Sequence, residues 1–243
     1  MQPIFEHRFT LTEIHVDRFG RARPAVLLYM VQEAAGQHCA LLAVDHETLS
    51  HKHLFWAVSR NRVQVTRLPR LGETVTLKTW PMPTTRVAYP RSVVAYDEQG
   101  RELFRSISLW VLMDARTRAM VLPGKSGITV DGTLTGTELA VPHAVAVRPM
   151  ENSRVCTVGY SLLDRNGHMN NTRYMDWVDD LLSSEFHRDN PVQEFTVCYM
   201  NEAREGDAVT VRYELNDGPV LTVDATREQD AGSDRIFSAQ IIF

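Results

Sequence analysis

The sequence predicts an α+β protein made of two similar modules, each with one long helix followed by several strands. Apolar residues recur with helical spacing after Pro24 and again after Asn171, and strand-like segments follow each of these stretches. Two short motifs also recur in the same order around the two helical segments. With 44% hydrophobic and 23% charged residues in 243, the chain has the composition of a globular protein.

The first half is predicted to contain a long helix that begins at Pro24. Proline suits the first helical position, because the N–H that it lacks has no helical partner there. Spacings of three and four then mark one helical face, which comprises Leu27, Val31, Ala34, Ala35, His38 and Leu42. Segments rich in β-branched and aromatic residues, separated by turns, predict strands at 55–65, 74–80, 86–96 and 103–113.

The second half is predicted to repeat this style. A helix fits Asn171 to Phe186, and Asn170 and Asn171 are suitable capping residues at its start. Strands are expected at 154–160, 192–199, 208–213, 220–226 and 236–243. Between the halves, a stretch rich in glycine and threonine with little periodicity, 123–142, is typical of a linker.

Two motif pairs indicate an internal duplication. Residues 17–20 (Asp-Arg-Phe-Gly) match residues 164–167 (Asp-Arg-Asn-Gly) at an offset of 147. Residues 70–76 match residues 204–210 at an offset of 134, with arginine, glycine, valine and threonine at equivalent places. The second copy is therefore 13 residues shorter around its helix, and the shared order of the motifs favours a repeat.

Charge and cysteine content exclude several classes of protein. The net charge of -4, from 26 basic and 30 acidic side chains, argues against nucleic-acid binding. Cys39, Cys156 and Cys198 are too few and too widely spaced for a disulfide framework or a zinc site. The first residues do not read as a signal peptide, and the most apolar region, 24–44, contains too many polar residues for a membrane span. We therefore expect a cytoplasmic protein.

The chemistry-bearing segment is 163–174. Asp164, Asn166 and His168 alternate, so an extended chain would project all three side chains to one side. The predicted helix begins directly afterwards, and its unpaired N–H groups offer a site for an oxyanion. These residue types alone are equally compatible with a polar loop that only caps the helix.

A fourth polar residue favours a functional site. Alternation along the strand at 192–199 and beyond places Glu202 on one face together with Thr196, Cys198 and Met200. The repeat offsets align Asn166, His168 and Glu202 with Phe19, Arg21 and Leu68 of the first half. A fold that needed these polar groups for structure would need them in both copies, so their restriction to one copy indicates a site.

The signature segment resembles that of the acyl-acyl carrier protein thioesterases. The family pattern Asp-x-Asn-x-His-x-Asn-Asn-x-x-Tyr is matched by Asp164, Asn166, His168, Asn170, Asn171 and Tyr174, and Trp177 also fits. The family's tyrosine followed three residues later by glutamate is matched by Tyr199 and Glu202, and the first-half segment 108–114 is similar too. Plant members commonly have cysteine after the glutamate, where this chain has Ala203, which argues against a cysteine nucleophile.

The resemblance implies a tandem hotdog fold, in which each module is a long helix wrapped by a curved antiparallel sheet. The expected boundaries are 1–125 for an N-terminal module with the acyl-chain pocket, 126–148 for the linker, and 149–243 for the catalytic module. The expected acyl-binding residues lie on the first helix and are Leu27, Met30, Val31, Ala34 and Ala35.

The resemblance also implies hydrolysis of fatty acyl-carrier thioesters by activated water. Glu202 is the expected general base, with Asp164 as the alternative, and backbone N–H groups at the start of the second helix are expected to hold the oxyanion. His168 is expected to orient the thioester, and Asn166 the carbonyl or the water. No metal or organic cofactor is expected.

The expected partner is acyl carrier protein with its phosphopantetheine-linked acyl chain. Because that carrier is acidic, a local basic surface is needed, and one candidate comprises Arg60, Arg62, Arg67 and Arg70. The same arginines also fit an ordinary solvated strand face. An acyl-coenzyme A thioesterase and a non-catalytic acyl-binding hotdog protein are the alternatives, and a homodimer is an assembly that the sequence leaves open.

Overall fold

The computed structural model describes residues 3–229 and 232–243. The elements of the first half, in chain order, are β1 (Phe5–Thr10), α1 (Pro24–Leu41), α2 (His46–Ser50), β2 (Leu54–Val65), β3 (Thr74–Pro81), β4 (Tyr89–Tyr96), β5 (Glu102–Asp114), β6 (Met120–Val121) and α3 (Pro123–Ser126). Those of the second half are β7 (Asn152–Thr157), α4 (Tyr174–Asp179), α5 (Ser184–Asp189), β8 (Glu194–Tyr199), β9 (Ala208–Asn216), β10 (Val220–Gln229) and β11 (Gly232–Ile242). The predicted strands are present with shifted ends; the strand expected from residue 86, for example, starts at Tyr89.

The described strands form one antiparallel sheet in the order β1-β3-β4-β5-β2-β8-β11-β10-β9-β7, with β6 paired to β5. The two halves meet where β2 pairs with β8, in a register that places Arg60 opposite Cys198 and Val63 opposite Phe195. A continuous sheet therefore links the two copies of the repeat. This joint brings the end of β8, and the residues that follow it, beside the first half.

The first helix, α1, is buried between the sheet and the second half. It packs against β1, β3 and α4, and Pro24 occupies its first turn as predicted. Leu27, Met30, Val31 and Ala34 are almost fully buried in the main core. Burying a large aliphatic side chain contributes about 1.5–3 kcal/mol, so this face ties the helix to both halves.

The prediction of a single long helix over Asn171 to Phe186 is wrong. The structure has two short helices, α4 and α5, separated by a turn, and Ser183 caps the second one by accepting a hydrogen bond from the N–H of Phe186. Asp179 is the last residue of α4 and Asp180 is its C-cap, so acidic side chains stand at the helix end where basic ones are favourable. The apolar spacing across the segment did not reveal this break.

The duplication is confirmed by matching turns. The N–H of Asp17 donates to the carbonyl of Arg21 (2.7 Å), and the N–H of Asp164 donates to the carbonyl of His168 (2.8 Å). Gly20 and Gly167 have φ values of 73° and 75° at equivalent places in these turns. Positive φ is accessible to glycine at little cost, which explains the glycine that ends each copy of the first motif.

The segment between the halves has no regular secondary structure from 127 to 151 and lies against the sheet. Trp80 Nε1 donates to Glu138 (3.1 Å), Arg60 to the carbonyl of Pro142 (3.1 Å), and Cys198 Sγ lies 3.9 Å from the carbonyl oxygen of His143. These contacts hold the segment against the face of β2, β3 and β8 that points away from the core. The division into units at 1–125, 126–148 and 149–243 stays a prediction.

Candidate active site

The signature segment forms a tight turn rather than the extended chain that its alternation predicted. The N–H of Gly167 donates to the carbonyl of Asp164 (3.0 Å), which closes the turn. The Oδ1 atom of Asp164 accepts hydrogen bonds from the N–H groups of Asn166 (2.7 Å) and His168 (3.4 Å). The turn exposes Asn166 and leaves His168 mostly buried, and Nδ2 of Asn166 donates to Oδ2 of Asp164 (3.4 Å).

His168 and Glu202 are brought together by a short backbone bridge. The N–H of Met169 donates to the carbonyl of Ala203 (2.8 Å), and His168 is bridged to Arg204. The Nε2 atom of His168 then lies 3.1 Å from Oε2 of Glu202. The two residues thus form a close imidazole–carboxylate pair, with the histidine 13% and the glutamate 39% exposed.

Glu202 was expected to continue the alternation of the eighth strand, and that expectation is wrong. β8 ends at Tyr199, and the chain turns away where the N–H of Met200 donates to the carbonyl of Ile236 (2.9 Å). Glu202 lies in the loop that follows. Its position is therefore set by the turn and by the bridge to His168 rather than by the pleat of the strand.

Arg118 is a site residue that sequence reasoning missed. It lies between β5 and β6 in the first half, and its guanidinium contacts Oε1 of Glu202. Its positive φ of 57° is uncommon for a residue other than glycine and was not visible in the sequence. One available signal was its place just after the family-like segment 108–114, but nothing in the local pattern connected it with Glu202.

A cavity of about 880 Å³ connects the polar pair to the first half. The described residues around it include Asp164, Asn166, His168 and Glu202 at one part, and Ala35, Gly36, Cys39, Trp56 and Tyr89 at another. The cavity thus has polar side chains at one part and a largely apolar wall at another. Such a cavity suits a substrate with a reactive head and a hydrocarbon chain.

The cavity separates the predicted acyl-binding residues into two sets. Ala35 borders it, whereas Leu27, Met30, Val31 and Ala34 belong to the main core on another side of α1. The helix face next to the cavity is the one formed by Gln32, Ala35, Gly36, Cys39 and Ala40. A role of the four core residues in acyl binding stays a prediction.

A buried arginine forms part of the cavity wall. Arg91, on β4, donates to Thr79 Oγ1 (3.1 Å), lies 3.1 Å from Nδ1 of His38 and contacts the Cys39 sulfur at 3.7 Å. Burial lowers the pKa of Arg91 and raises the pKa of the Cys39 thiol. Since β5 and β2 separate β4 from β8, Arg91 lies about 14 Å across the sheet from β8.

The comparison with protein families agrees with both halves of the structure. Residues 2–122 match the model of the acyl-ACP thioesterase N-terminal domain, and residues 149–238 match that of the acyl-ACP thioesterase C-terminal domain. The chain belongs to the acyl-ACP thioesterase family. Residues 123–148, between the two matched regions, are the segment that crosses the outer face of the sheet.

Curated members of the family are distant and longer. The chain is 25% identical over 214 residues to the chloroplastic palmitoyl-acyl carrier protein thioesterase of Gossypium hirsutum, which covers 82% of this chain and 52% of that protein. It is 23% identical over 229 residues to oleoyl-acyl carrier protein thioesterase 1 of Arabidopsis thaliana, covering 84% and 62%. The chain therefore spans about half to three fifths of the length of these relatives.

Solved structures of family members share the fold over nearly the whole chain. An acyl-ACP thioesterase from Bacteroides thetaiotaomicron superimposes with a TM-score of 0.88 at 23% identity, covering 99% of this chain and 98% of that one. The 12:0-ACP thioesterase from Umbellularia californica gives a TM-score of 0.82 at 22% identity, with coverages of 100% and 97%. The architecture is thus the tandem hotdog fold of this acyl-ACP thioesterase family.

Other signature residues of this family member support the site. Asn170 Oδ1 accepts from the N–H (3.0 Å) and hydroxyl (2.8 Å) of Thr172, so this N–H is already used where an oxyanion site was expected. The Tyr199 hydroxyl donates to the carbonyl of Asn171 (2.9 Å), and the ring of Tyr174 packs against it. Burial raises the pKa of both tyrosines, which keeps them neutral hydrogen-bonding groups.

The arginines predicted as a basic surface are largely paired within the protein. Arg62 forms an ion pair with Glu194 (2.7 Å), and Arg67 with Glu73 (2.9 Å). Arg60 donates to the carbonyl of Pro142, and Arg70 is exposed. The ordinary strand-face interpretation therefore fits these residues better than a dedicated docking patch.

Residues 3–229 and 232–243 contain neither a metal-binding cluster nor a membrane-spanning helix. No group of three or more His, Cys, Asp or Glu side chains in these ranges could hold a metal ion. No helix within them is both long and apolar enough to cross a membrane. Cys39, Cys156 and Cys198 are free thiols.

Proposed function

We propose that this protein hydrolyses fatty acyl thioesters of acyl carrier protein to a free fatty acid and the carrier thiol. The main observation in support is that the His168–Glu202 pair borders a cavity whose apolar wall is formed by α1 and the sheet. A thioester carbonyl at this pair has space beside it for its acyl chain. Relatives named for palmitoyl, oleoyl and dodecanoyl carrier substrates support the substrate class.

Thioester hydrolysis requires only an activated water and a stabilised oxyanion. The water oxygen bonds to the carbonyl carbon while the carbonyl π electrons move to its oxygen. When the tetrahedral intermediate collapses, the C–S bond breaks and the thiolate leaves with the bonding pair. The proton from water passes to the His168–Glu202 pair, and the exposed Asn166 positions the carbonyl or the water.

The contact between the two residues favours His168 as the group that first takes the proton. We assign the ring hydrogen to Nε2 of His168, which faces the Glu202 carboxylate, because a carboxylate can only accept a hydrogen bond. Nδ1 of the neutral ring then keeps a lone pair. Imidazole exchanges protons near neutral pH, and Glu202 then stabilises the imidazolium. This proposal revises the assignment from sequence, in which Glu202 was the direct base.

His168→Gln distinguishes the two assignments. A glutamine amide can still donate to Glu202 but cannot accept a proton, so it preserves orientation while removing basicity. We expect it to be as inactive as His168→Ala if the imidazole is the base. Substantial activity in the glutamine variant, measured in single turnovers, returns the role of base to Glu202.

Carrier selectivity tests the proposed substrate. Purified protein is given a dodecanoyl or palmitoyl thioester of acyl carrier protein together with the corresponding coenzyme A thioester, and released fatty acid is measured from each. Preference for the carrier substrate supports the proposal, and preference for coenzyme A supports the acyl-coenzyme A alternative. Tight acyl binding with no release from either substrate would identify a binding protein instead.

We also propose that the protein acts in the cytoplasm. The three free thiols support a reducing compartment, although the named plant relatives are chloroplastic. The sequence leaves open whether the protein forms a homodimer. Light scattering of the purified protein decides whether it is a monomer or a dimer.

A further inference from the structure

We propose that Arg118 is a positioning residue for hydrolysis, supplied by the first half of the chain to the active site of the second half. It acts through Glu202 by fixing the carboxylate in the orientation that contacts His168. This inference rests on the proposed function, because it assigns a role within the same reaction. It makes the active site a composite of both modules.

The backbone around Arg118 is held firmly by its own turn. Asp114 Oδ1 accepts from the N–H groups of Arg116 and Thr117, both at 2.8 Å, and the N–H of Arg118 donates to the carbonyl of Asp114 (2.9 Å). The N–H of Asp114 in turn donates to the carbonyl of Ala119 (2.9 Å). These bonds maintain the left-handed backbone of Arg118, a conformation that such residues adopt mainly where the surroundings impose it.

The side chain of Arg118 is also guided toward the glutamate. Its guanidinium carbon lies 4.6 Å from the centre of the Phe55 ring, an arrangement in which cation and ring attract each other. From there the guanidinium contacts Oε1 of Glu202, while Oε2 of the same carboxylate contacts His168. Each oxygen has its own partner, so rotation of the carboxylate breaks at least one contact.

Other nearby arginines have different partners. Arg227 forms ion pairs with Asp207 and Asp234 and reaches only the backbone carbonyl of Glu202. Among the ion pairs of the described residues, the arginine that pairs with the Glu202 carboxylate is Arg118. It also borders the main cavity, which places its permanent positive charge beside the reacting groups.

Arg118 contributes little to folding by this contact. Its side chain is 40% exposed and that of Glu202 39% exposed, and ion pairs at such exposure contribute little to stability because water screens them. Replacing Arg118 should therefore leave a folded protein. A change in the pH dependence of turnover then reports on the catalytic pair rather than on stability.

The test compares Arg118→Met and Arg118→Lys with Arg116→Met, a matched control in the same turn whose side chain contacts His53. With a dodecanoyl carrier thioester, we expect Arg118→Met to lower kcat by at least about tenfold with little change in KM, since misplaced catalytic groups cost that much or more. The acidic limb of its pH–rate profile should move to higher pH, because removing the Arg118 cation makes it easier for a proton to bind to the His168–Glu202 pair. The lysine variant should recover part of both effects, and the Arg116 variant should behave as wild type.

A double variant shows whether Arg118 acts through Glu202. If it does, Arg118→Met has little further effect in a Glu202→Gln background. Additive losses, a change confined to KM, or an unshifted acidic limb would each overturn the inference while leaving the proposed hydrolysis intact. If Glu202→Gln alone retains full activity, it is the proposed site that fails. Where the glutamine background has no measurable turnover, the pH shift of Arg118→Met decides.

Discussion

Asp17 and Asp164 close the same turn in the two halves of the molecule. Asp17 Oδ1 accepts from the N–H groups of Phe19 (2.8 Å) and Arg21 (2.9 Å), and Asp164 Oδ1 accepts from those of Asn166 (2.7 Å) and His168 (3.4 Å). The first half keeps this aspartate although it has arginine where the second half has histidine. A carboxylate that is used in both copies serves the shape of the loop, so we predict a positioning role for Asp164.

Two substitutions of Asp164 test that role. Asparagine at this position retains an Oδ1 acceptor for the turn but cannot take a proton, whereas alanine removes the acceptor. We expect Asp164→Asn to keep activity within about tenfold of wild type and Asp164→Ala to lose much more, since catalytic positioning can be worth about a hundredfold. Single-turnover rates on a carrier thioester check this. Equal losses in both variants would indicate that the carboxylate itself takes part in proton transfer.

The asymmetry between the halves gives a second prediction. His168→Ala and Glu202→Gln should each lower hydrolysis at least about a hundredfold, because proton transfer and oriented polar groups contribute on that scale. Their counterparts in the first half, Arg21 and Leu68, should tolerate Arg21→Gln and Leu68→Met with the chemical step nearly intact.

The counterpart variants have their own structural cost. Arg21 pairs with Asp17 and donates to the carbonyl of His187 (2.8 Å) across the module boundary, and Leu68 is buried in the core. Thermal unfolding therefore accompanies every rate measurement. Near-full activity of both second-half variants would refute the site assignment, and equal sensitivity of the halves would refute a single active site per chain.

Two adjacent alanines on α1 allow the acyl pocket to be mapped. Ala35 borders the cavity, whereas Ala34 is fully buried in the main core. We expect Ala35→Leu to shift preference toward shorter acyl chains, because the larger side chain occupies cavity space. Ala34→Leu should instead overpack the core and lower stability by about 1–3 kcal/mol without that shift. A chain-length series together with thermal unfolding distinguishes the two, and an unchanged profile for Ala35→Leu would contradict this placement of the acyl chain.

The cysteines are predicted to be catalytically idle. Cys198 is buried on the face of β8 covered by the segment at His143, away from the pair at His168. Cys39 borders the cavity, but burial raises the pKa of its thiol and so disfavours the nucleophilic thiolate. Alanine at each position should retain turnover within severalfold. A loss above about a hundredfold at Cys198 in folded protein would overturn the water mechanism.

The raised pKa of Asp179 leads us to predict that stability depends on pH. Burial, and next the neighbouring Asp176 carboxylate, raise its pKa to about 8. An unfolded aspartate has a pKa of about 3.9, so between these values the folded state holds a proton that the unfolded state has released. Stability therefore falls as the pH rises through this window. Asp179→Asn should reduce the difference between the Tm at pH 5 and at pH 8.

The control for this prediction is Asp217→Asn, which alters an exposed turn. It should show the same difference in Tm between pH 5 and pH 8 as the wild type. If Asp179→Asn showed the same difference in Tm between pH 5 and pH 8 as the wild type, the Asp179 carboxyl would not titrate between these pH values.

The periodic elements were predictable because local chemistry determines them. Pro24 and the apolar spacing after it placed α1, and the turn motifs with Gly20 and Gly167 revealed the duplication. The second helix was predicted too long, since apolar spacing does not register the acidic residues around Asp179 or the cap at Ser183. The same limitation applied to the alternation at 164–168, where hydrogen bonds to the Asp164 side chain bend the chain into a turn.

The amino-acid order alone was enough to identify the duplicated α+β architecture and to single out Asn166, His168 and Glu202, because these features depend on short-range periodicity and on comparing one copy with the other. It could not show that Arg118 contacts Glu202, since those residues lie in different modules and meet only where β2 pairs with β8. Nor could it separate Ala35 from Ala34, because which face of α1 borders a cavity depends on how the helix packs across the sheet. Long-range packing, which no local pattern encodes, determines both.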